Sequence, residues 1–440
     1  MMVSDPASLP LSDPATRPPQ TSLAEALQVA ADLWPTAQAM LCRDTQWTFA
    51  DWLHAAPGLA CRSEGSPPGI WSSAGNALQL AASALAASLN EQAFQPLEQA
   101  LHSPAVHENV GADTALIINT SGSEGEPRPI QLGKSQLACA AFNANQALDL
   151  QAGDCWLHCL PGYHIGGQSI FWRCAFAAAT VLLHEDFSPA RIAQDFATHP
   201  VSHISLVPAM LARLVELEVR PPASLRVALI GGAALSPTLH ERAAAAGWPL
   251  YPSYGMTESA ALIAVFRPAD GAWQRGRVGC IFPGHETTLT PEGRLQLRGP
   301  QIALSLANRG LLDANGWLTT SDLASIAADG QLTIHGRADD ILISAGRNIH
   351  PLTVENCLAA CPGVEDIAVT GRPDPVWGDL VVALVVGPVK TETLLAHARQ
   401  HLPSAALPRL IRHLPRLPRN AAGKLKRSEL RQLASEETAQ

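Results

Sequence analysis

The chain has 440 residues, 47% of them apolar, more core-forming material than one ordinary domain holds, so two or more domains are expected. A formal net charge of −9 excludes a general binder of nucleic acid or of anionic membrane, since either needs a basic surface. Nine cysteines are scattered through a chain whose start is acidic and proline-rich, without the basic region and apolar core of a secretory signal, and this points to a reducing cytoplasm.

Residues 1–20 carry five prolines among small polar residues and cannot bury enough apolar surface to offset ordering entropy, so a disordered leader is expected there. From 22 to about 99, helical stretches at 23–33 and 77–89 alternate with breaks such as Glu64-Gly65-Ser66-Pro67-Pro68-Gly69, which predicts a small, abbreviated α/β region. The apolar run 78–89 is too short to cross a bilayer, and no membrane span is expected. Between 113 and 335, short apolar strands (115–118, 205–207, 226–230) alternate with amphipathic helices such as 238–246, the pattern of a mainly parallel sheet covered by helices. After Gly336 the chain changes to a small α+β unit with strands at 367–369 and 381–386 and a basic tail around 408–427. The fold class is α/β: a large N-terminal domain over 21–337 and a small, mobile C-terminal cap over 338–440.

Several motifs carry chemistry. Thr120-Ser121-Gly122-Ser123-Glu124-Gly125-Glu126-Pro127-Arg128 follows a buried strand and reads as a phosphate cradle: the glycines permit positive φ and close backbone approach, and the hydroxyls donate to anionic oxygens. A P-loop, Gly-x4-Gly-Lys-Ser/Thr, is absent. Ile230-Gly231-Gly232-Ala233-Ala234 ends a strand with small residues against which a flat ring could lie. Tyr254-Gly255-Met256-Thr257-Glu258 supplies an aromatic face, a hydroxyl and a carboxylate, and the Glu258 carboxylate is of the hard oxygen type that suits a cation such as Mg²⁺. Asp322 offers an acceptor-only carboxylate suited to two adjacent hydroxyl donors. Gly336-Arg337-Ala338-Asp339-Asp340 puts charges between two apolar strands at the compositional boundary, where a hinge belongs. Gly423-Lys424-Leu425-Lys426-Arg427 places a mobile cation near the C-terminus. Cys155, His158, Cys159 and His164 lack a second ligand pair of zinc spacing.

In this order the series resembles the adenylate-forming superfamily of acyl-CoA synthetases, luciferases and peptide-synthetase adenylation domains. The segments 160–172, 204–214 and 229–258 look most like o-succinylbenzoate-CoA ligases and related aryl/acyl-CoA ligases. The resemblance implies that Thr120, Ser121, Gly122, Ser123, Gly125 and Arg128 cradle the phosphates of ATP and that Gly231, Gly232, Ala233, Tyr254 and Gly255 line the adenine pocket. It further implies that Thr257 touches the α-phosphate, that Glu258 holds Mg²⁺, and that Asp322 with Arg337 binds the ribose. Asp339 matches the family's pivot, with residues 344–351 swinging toward a thiol tunnel. Lys424 matches the lysine that bridges carboxylate and α-phosphate, and His164, in Pro161-Gly162-Tyr163-His164-Ile165-Gly166-Gly167, matches a histidine beside the acyl pocket. Where the family usually has Thr or Ser this chain has Glu124, and at about 4 Å like charges repel by roughly 1 kcal/mol in water. Arg128 replaces a usual lysine, and Ser321 a usual glycine.

The implied activity is two-step ligation: a carboxylic acid, aryl or acyl, is adenylated to acyl-AMP with release of pyrophosphate, then transferred to CoA as cosubstrate. One alternative loads a carrier-protein phosphopantetheine; another, motivated by Glu124, is a degenerate member that binds nucleotide without turnover. A homodimer is a family-level expectation.

Overall fold

The computed structural model describes residues 21–43, 45–98, 110–120, 128–303, 310–419 and 425–436; the expected leader lies outside them. Local chemistry sets the first helices. Ser22 and Glu25 form a reciprocal capping box that starts α1 (Leu23–Leu33). Thr48 with Asp51 opens α2 (Phe49–Leu59), and Asn76 with Gln79 opens α3 (Ala77–Leu89). Eight consecutive positions of α3, from Leu80 to Ala87, are buried, as expected of a helix apolar on every side, and no described helix is long and apolar enough to cross a membrane.

The remaining elements of the large part follow in chain order. Around α2 and α3 lie β1 (Gln38–Cys42), β2 (Thr45–Thr48), β3 (Ile70–Ser73) and β4 (Ala93–Pro96), and after them β5 (Thr114–Thr120), β6 (Arg128–Gly133) and α4 (Lys134–Leu148). Strands and helices then alternate: β7 (Cys155–His158), α5 (Ile165–Ala177), β8 (Thr180–Leu183), α6 (Pro189–Thr198), β9 (His203–Leu206), α7 (Pro208–Glu216), β10 (Val227–Ile230), α8 (Pro237–Ala245) and β11 (Leu250–Met256). Next come β12 (Ala261–Val265), β13 (Arg277–Ile281), β14 (Glu286–Leu289), β15 (Arg294–Arg298), β16 (Leu318–Ile326) and β17 (Leu332–Arg337).

Among the described residues these strands build a 13-stranded sheet in the order β14-β15-β16-β17-β13-β12-β11-β10-β9-β7-β8-β1-β2 and a 4-stranded sheet β3-β4-β5-β6. The expected parallel pairing holds from β1 through β8, β7, β9 and β10 to β11, where helices make the crossovers. From β12 onward the pairing is antiparallel. Short turns join most of those strands, and parallel pairing needs a crossover of a dozen or more residues.

The C-terminal segment forms a sheet of its own from β18 (Leu342–Ser344), β19 (Arg347–Ile349), β20 (Asp366–Asp374), β21 (Gly378–Val386) and β22 (Leu410–His413), covered by α9 (Pro351–Ala359), α10 (Thr391–His401) and α11 (Arg427–Ser435). Its apolar clusters use residues from Leu342 onward, and those of the large sheets end at Leu332 with Ile334 packed beside them. Residues 344–351, expected to be a swinging loop, are an antiparallel hairpin running into the start of α9. Ile349 is buried while Ala345 to Asn348 are exposed at its tip.

Candidate active site

Parallel strands β7, β9, β10 and β11 all end on one edge of the large sheet, the edge where ligands gather in open α/β sheets. Register pairs Ile230 with Pro252, so the small-residue turn after β10 lies beside the aromatic-to-carboxylate run at the end of β11. Gly232 adopts φ +78° and lies exposed with Ala233, while Gly231 faces Ser253: a Cβ there would meet Ser253 Oγ at 2.9 Å. That oxygen is already committed, donating to Ile230 O at 2.9 Å. The turn thus presents bare backbone.

Tyr254, Gly255 and Met256 continue β11, and Thr257 and Glu258 form a 3₁₀ turn with Ser259. Gly255 is dictated by the crossing of β12, because a Cβ would stand 1.8 Å from Ala261 O. Behind the turn, buried Gln301 donates through Nε2 to Ser259 O at 2.7 Å and to Leu262 O at 2.5 Å, and Ala303 N donates to Glu258 O at 2.9 Å. This support was invisible in the sequence, since nothing local ties Gln301 to a turn 42 residues earlier.

Tyr254 Oη donates to Asp322 Oδ2 at 2.6 Å. Burial first, then the neighbouring Asp322 carboxylate, raises the Tyr254 phenol well above its ordinary range, so it stays a donor. Asp322 is the direct register partner of Arg337 across β16 and β17, and the Arg337 Nη1 to Asp322 Oδ1 distance is 4.0 Å. The other face of Arg337 grips Asp339 through two bonds, 2.8 Å from Nε and 2.5 Å from Nη2. Against burial, which pushes it up, the Arg337 guanidinium holds the Asp339 carboxyl below the usual range. Asp339 lies in the 3₁₀ turn Ala338–Asp340 between the two sheets.

The β5–β6 hairpin brings Thr120 opposite Arg128, with Thr120 Oγ1 donating to Arg128 O at 2.9 Å, and β6 packs on the Thr257–Ser259 turn. Ser121, Gly122, Ser123 and Gly125 lie outside the described residues, between these two ends. Lys424 also lies outside them, but its flanks are held: Arg419 bridges to Leu425, Arg419 Nη2 pairs with Asp366 at 2.9 Å, and Arg427 reaches Asp340 at 3.3 Å and Glu355 at 3.1 Å. His164 precedes α5 in the loop after β7, its ring 4.6 Å from that of Tyr163, whose phenol burial and then Glu98 push up to about 12. Gly167 lets this loop close, for a Cβ would meet Pro161 O at 2.4 Å. His158, Cys155 and Cys159 are core residues: burial takes His158 down to about 4 and both thiols up to about 12.

Glu258 is partly exposed and its carboxylate engages no side-chain partner among the described residues, so a hard divalent cation such as Mg²⁺ fits this donor.

The AMP-binding enzyme family model matches residues 66–304, and the AMP-binding enzyme C-terminal domain model matches residues 353–424. The chain belongs to the AMP-binding enzyme family. A 2-succinylbenzoate–CoA ligase of Bacillus cytotoxicus is 34% identical over 344 residues, 74% of this chain and 71% of the relative. The one from Bacillus subtilis is 32% identical over 333 residues, 72% and 68%. The solved o-succinylbenzoate CoA synthetase of Bacillus subtilis, in complex with its acyl-adenylate intermediate, superposes with a TM-score of 0.80 at 27% identity, covering 92% of this chain and 97% of that one. In complex with ATP and a magnesium ion, the same synthetase gives a TM-score of 0.77 at 26% identity, with 92% and 98% covered.

Proposed function

We propose that this AMP-binding enzyme is an ATP-dependent acid–CoA ligase. A carboxylate oxygen of the acid bonds to the α-phosphorus of ATP, and the bond to the β-phosphate breaks with its electron pair leaving on pyrophosphate. The CoA sulfur, its proton released, then bonds to the acyl carbon while the carbon–oxygen bond to AMP breaks. The observation that carries this reading is the linked set Tyr254, Asp322 and Arg337 at the sheet edge, beside a Thr-Glu turn on which the phosphate hairpin packs.

In this reading the Asp322 carboxylate accepts from the ribose hydroxyls, with Tyr254 and Arg337 fixing its orientation, and the adenine lies on the exposed backbone of Gly231, Gly232 and Ala233 and on Tyr254 with Gly255. Thr257 donates to the α-phosphate, and Thr120, Ser121, Gly122, Ser123, Gly125 and Arg128 hold the outer phosphates. Glu258 would hold Mg²⁺, which when bound neutralises phosphate charge. Lys424 supplies a point charge to the pentavalent phosphorus, an interaction made only in the transition state. His164, at the start of α5, borders the acyl side. Asp339 is the pivot on which the C-terminal unit turns between the two steps.

Two relatives are named for 2-succinylbenzoate, so this aryl acid is the first candidate substrate. A panel of carboxylic acids, 2-succinylbenzoate included, read by pyrophosphate release with and without CoA, tests the proposal. Pyrophosphate and AMP release with acyl-CoA formation is expected for at least one acid. Release of AMP with none refutes ligase function, and acylation of a carrier protein but not of free CoA moves the acceptor to phosphopantetheine.

A further inference from the structure

Away from the nucleotide site, α9 and α10 pack side by side and bring together three soft ligands. The ligand atoms of Cys357, on α9, and of His397 and His401, one turn apart on α10, all lie within 4.8 Å of one another. This cluster contains no carboxylate, so it is not a chance gathering of surface acids. Cys357 and His397 are half-buried and His401 is exposed, which leaves one side open to solvent.

The hydrogen bonds prepare both imidazoles. His397 Nε2 lies 3.0 Å from Cys357 O, and His401 Nδ1 lies 2.8 Å from His397 O. A carbonyl accepts only, so each of these nitrogens carries the proton. The lone pair is therefore on His397 Nδ1 and on His401 Nε2, and neither ring makes another hydrogen bond among the described residues. Metal-binding histidines are oriented in this way, donating one ring N–H to a backbone carbonyl and keeping the other nitrogen for the ion. The two rings stand 4.4 Å apart between centroids. Cys357 and His401 also sit in the last turns of α9 and α10, where the helix dipoles present their negative ends. Burial raises the Cys357 thiol above its ordinary range, and the charge of Arg275, which donates to Leu352 O at 3.0 Å, opposes that rise.

We propose that Cys357, His397 and His401 form a binding site for a borderline-soft divalent metal ion, Zn²⁺ in the first instance, with its fourth position open. Zinc bonds of about 2.0–2.3 Å set tetrahedral ligands about 3.5 Å apart, a closure that the exposed His401 side chain can make. The hard Mg²⁺ ion does not suit a thiolate and two imidazoles. Such an ion would sit beside the junction of the two sheets, because Thr238 Oγ1 donates to Ala359 O at 3.4 Å in the same helix as Cys357.

The test uses untagged, full-length, metal-free protein without nucleotide, titrated with Zn²⁺ against a chromophoric chelator and separately with Co²⁺. One equivalent of Zn²⁺ is expected to bind, and Cys357→Ser, His397→Ala and His401→Ala should each weaken it at least tenfold. The Co²⁺ form should show a sulfur-to-metal charge-transfer band that Cys357→Ser removes. His401→Ala alters an exposed side chain, so its retained pyrophosphate release with an acid substrate of the wild type shows that the variant is folded. Absence of stoichiometric Zn²⁺ binding overturns the site, as does binding that survives His401→Ala. Loss of binding in Cys280→Ser, an exposed cysteine elsewhere, would identify an adventitious thiol instead.

Discussion

Arg427→Ala tests how the Lys424 segment is rooted. Glu355 keeps only 8% of its side-chain exposure, and its Oε1 accepts from Val369 N at 2.8 Å and from Arg427 Nη1 at 3.1 Å. Arg427 also donates to Val369 O at 3.1 Å and reaches Asp340 Oδ2 at 3.3 Å. Burial raises the Glu355 carboxyl above its ordinary range, and Arg427 opposes that rise. Removing the guanidinium leaves a buried carboxylate with a single amide donor. Breaking a buried pair costs about 3–5 kcal/mol, and the 30% exposure of Arg427 places this case near 3 kcal/mol. The sign with pH follows from proton linkage. With the folded carboxyl titrating above the unfolded one, the folded state keeps a proton that the unfolded chain has lost, so stability falls as pH rises through that window. Without Arg427 the folded value moves higher still, and the deficit should be smaller at pH 5 than at pH 8. Hydrogen exchange of the β20 and β21 amides against denaturant reads the C-terminal unit directly. Glu355→Gln in the Arg427→Ala background should recover most of the loss. A deficit under about 1 kcal/mol, or one indifferent to pH, would refute the reasoning.

Lys424→Ala should abolish pyrophosphate exchange while sparing thioesterification of supplied acyl-AMP; loss of both half-reactions would remove the lysine from its assigned step. Asp322→Ala takes away the acceptor of the Tyr254 hydroxyl and should raise the ATP KM about 10–100-fold, in line with roughly 1.5–3 kcal/mol for hydrogen bonds to charged groups. An unchanged ATP dependence of pyrophosphate release would separate Asp322 from the nucleotide. Gly255→Ala sets a Cβ 1.8 Å from a backbone oxygen and should lower the thermal midpoint by several degrees, so a wild-type midpoint would contradict the tight β11–β12 crossing. Glu124→Thr relieves about 1 kcal/mol of repulsion toward triphosphate and should lower the ATP KM about fivefold; a rise would assign Glu124 a favourable role.

The ends of α1 and α3 were legible because their caps are local: Ser22 with Glu25 and Asn76 with Gln79 lie three residues apart. The sheet-edge motifs were legible because each stands at the end of a short apolar run, as Gly231 does after β10 and Tyr254 toward the end of β11. Pairing at a distance was not. The antiparallel half of the large sheet depends on register between strands such as β13 and β17, about fifty residues apart. The β18–β19 hairpin turns at Ala345-Gly346, with φ 51° and 70°; alanine stands where such a turn usually carries Asn, Asp or Gly, so the segment reads as a loop. Gln301 under Ser259, and Glu355 between Val369 and Arg427, are polar partners recruited across the fold, and no spacing announces them.

Arg337 has one guanidinium and two neighbouring carboxylates. Its forked bond to Asp339 leaves only Nη1 toward Asp322, at 4.0 Å. In the proposed reading, in which the chain pivots at Asp339 and Asp322 holds the ribose, a turn that opens the fork frees the cation to lean toward Asp322. By reciprocity, a nucleotide that draws Arg337 toward Asp322 loosens the joint by the same free energy. In that reading, occupancy of the pocket and rotation of the C-terminal unit would be linked through a single side chain, apart from any contact that Lys424 makes.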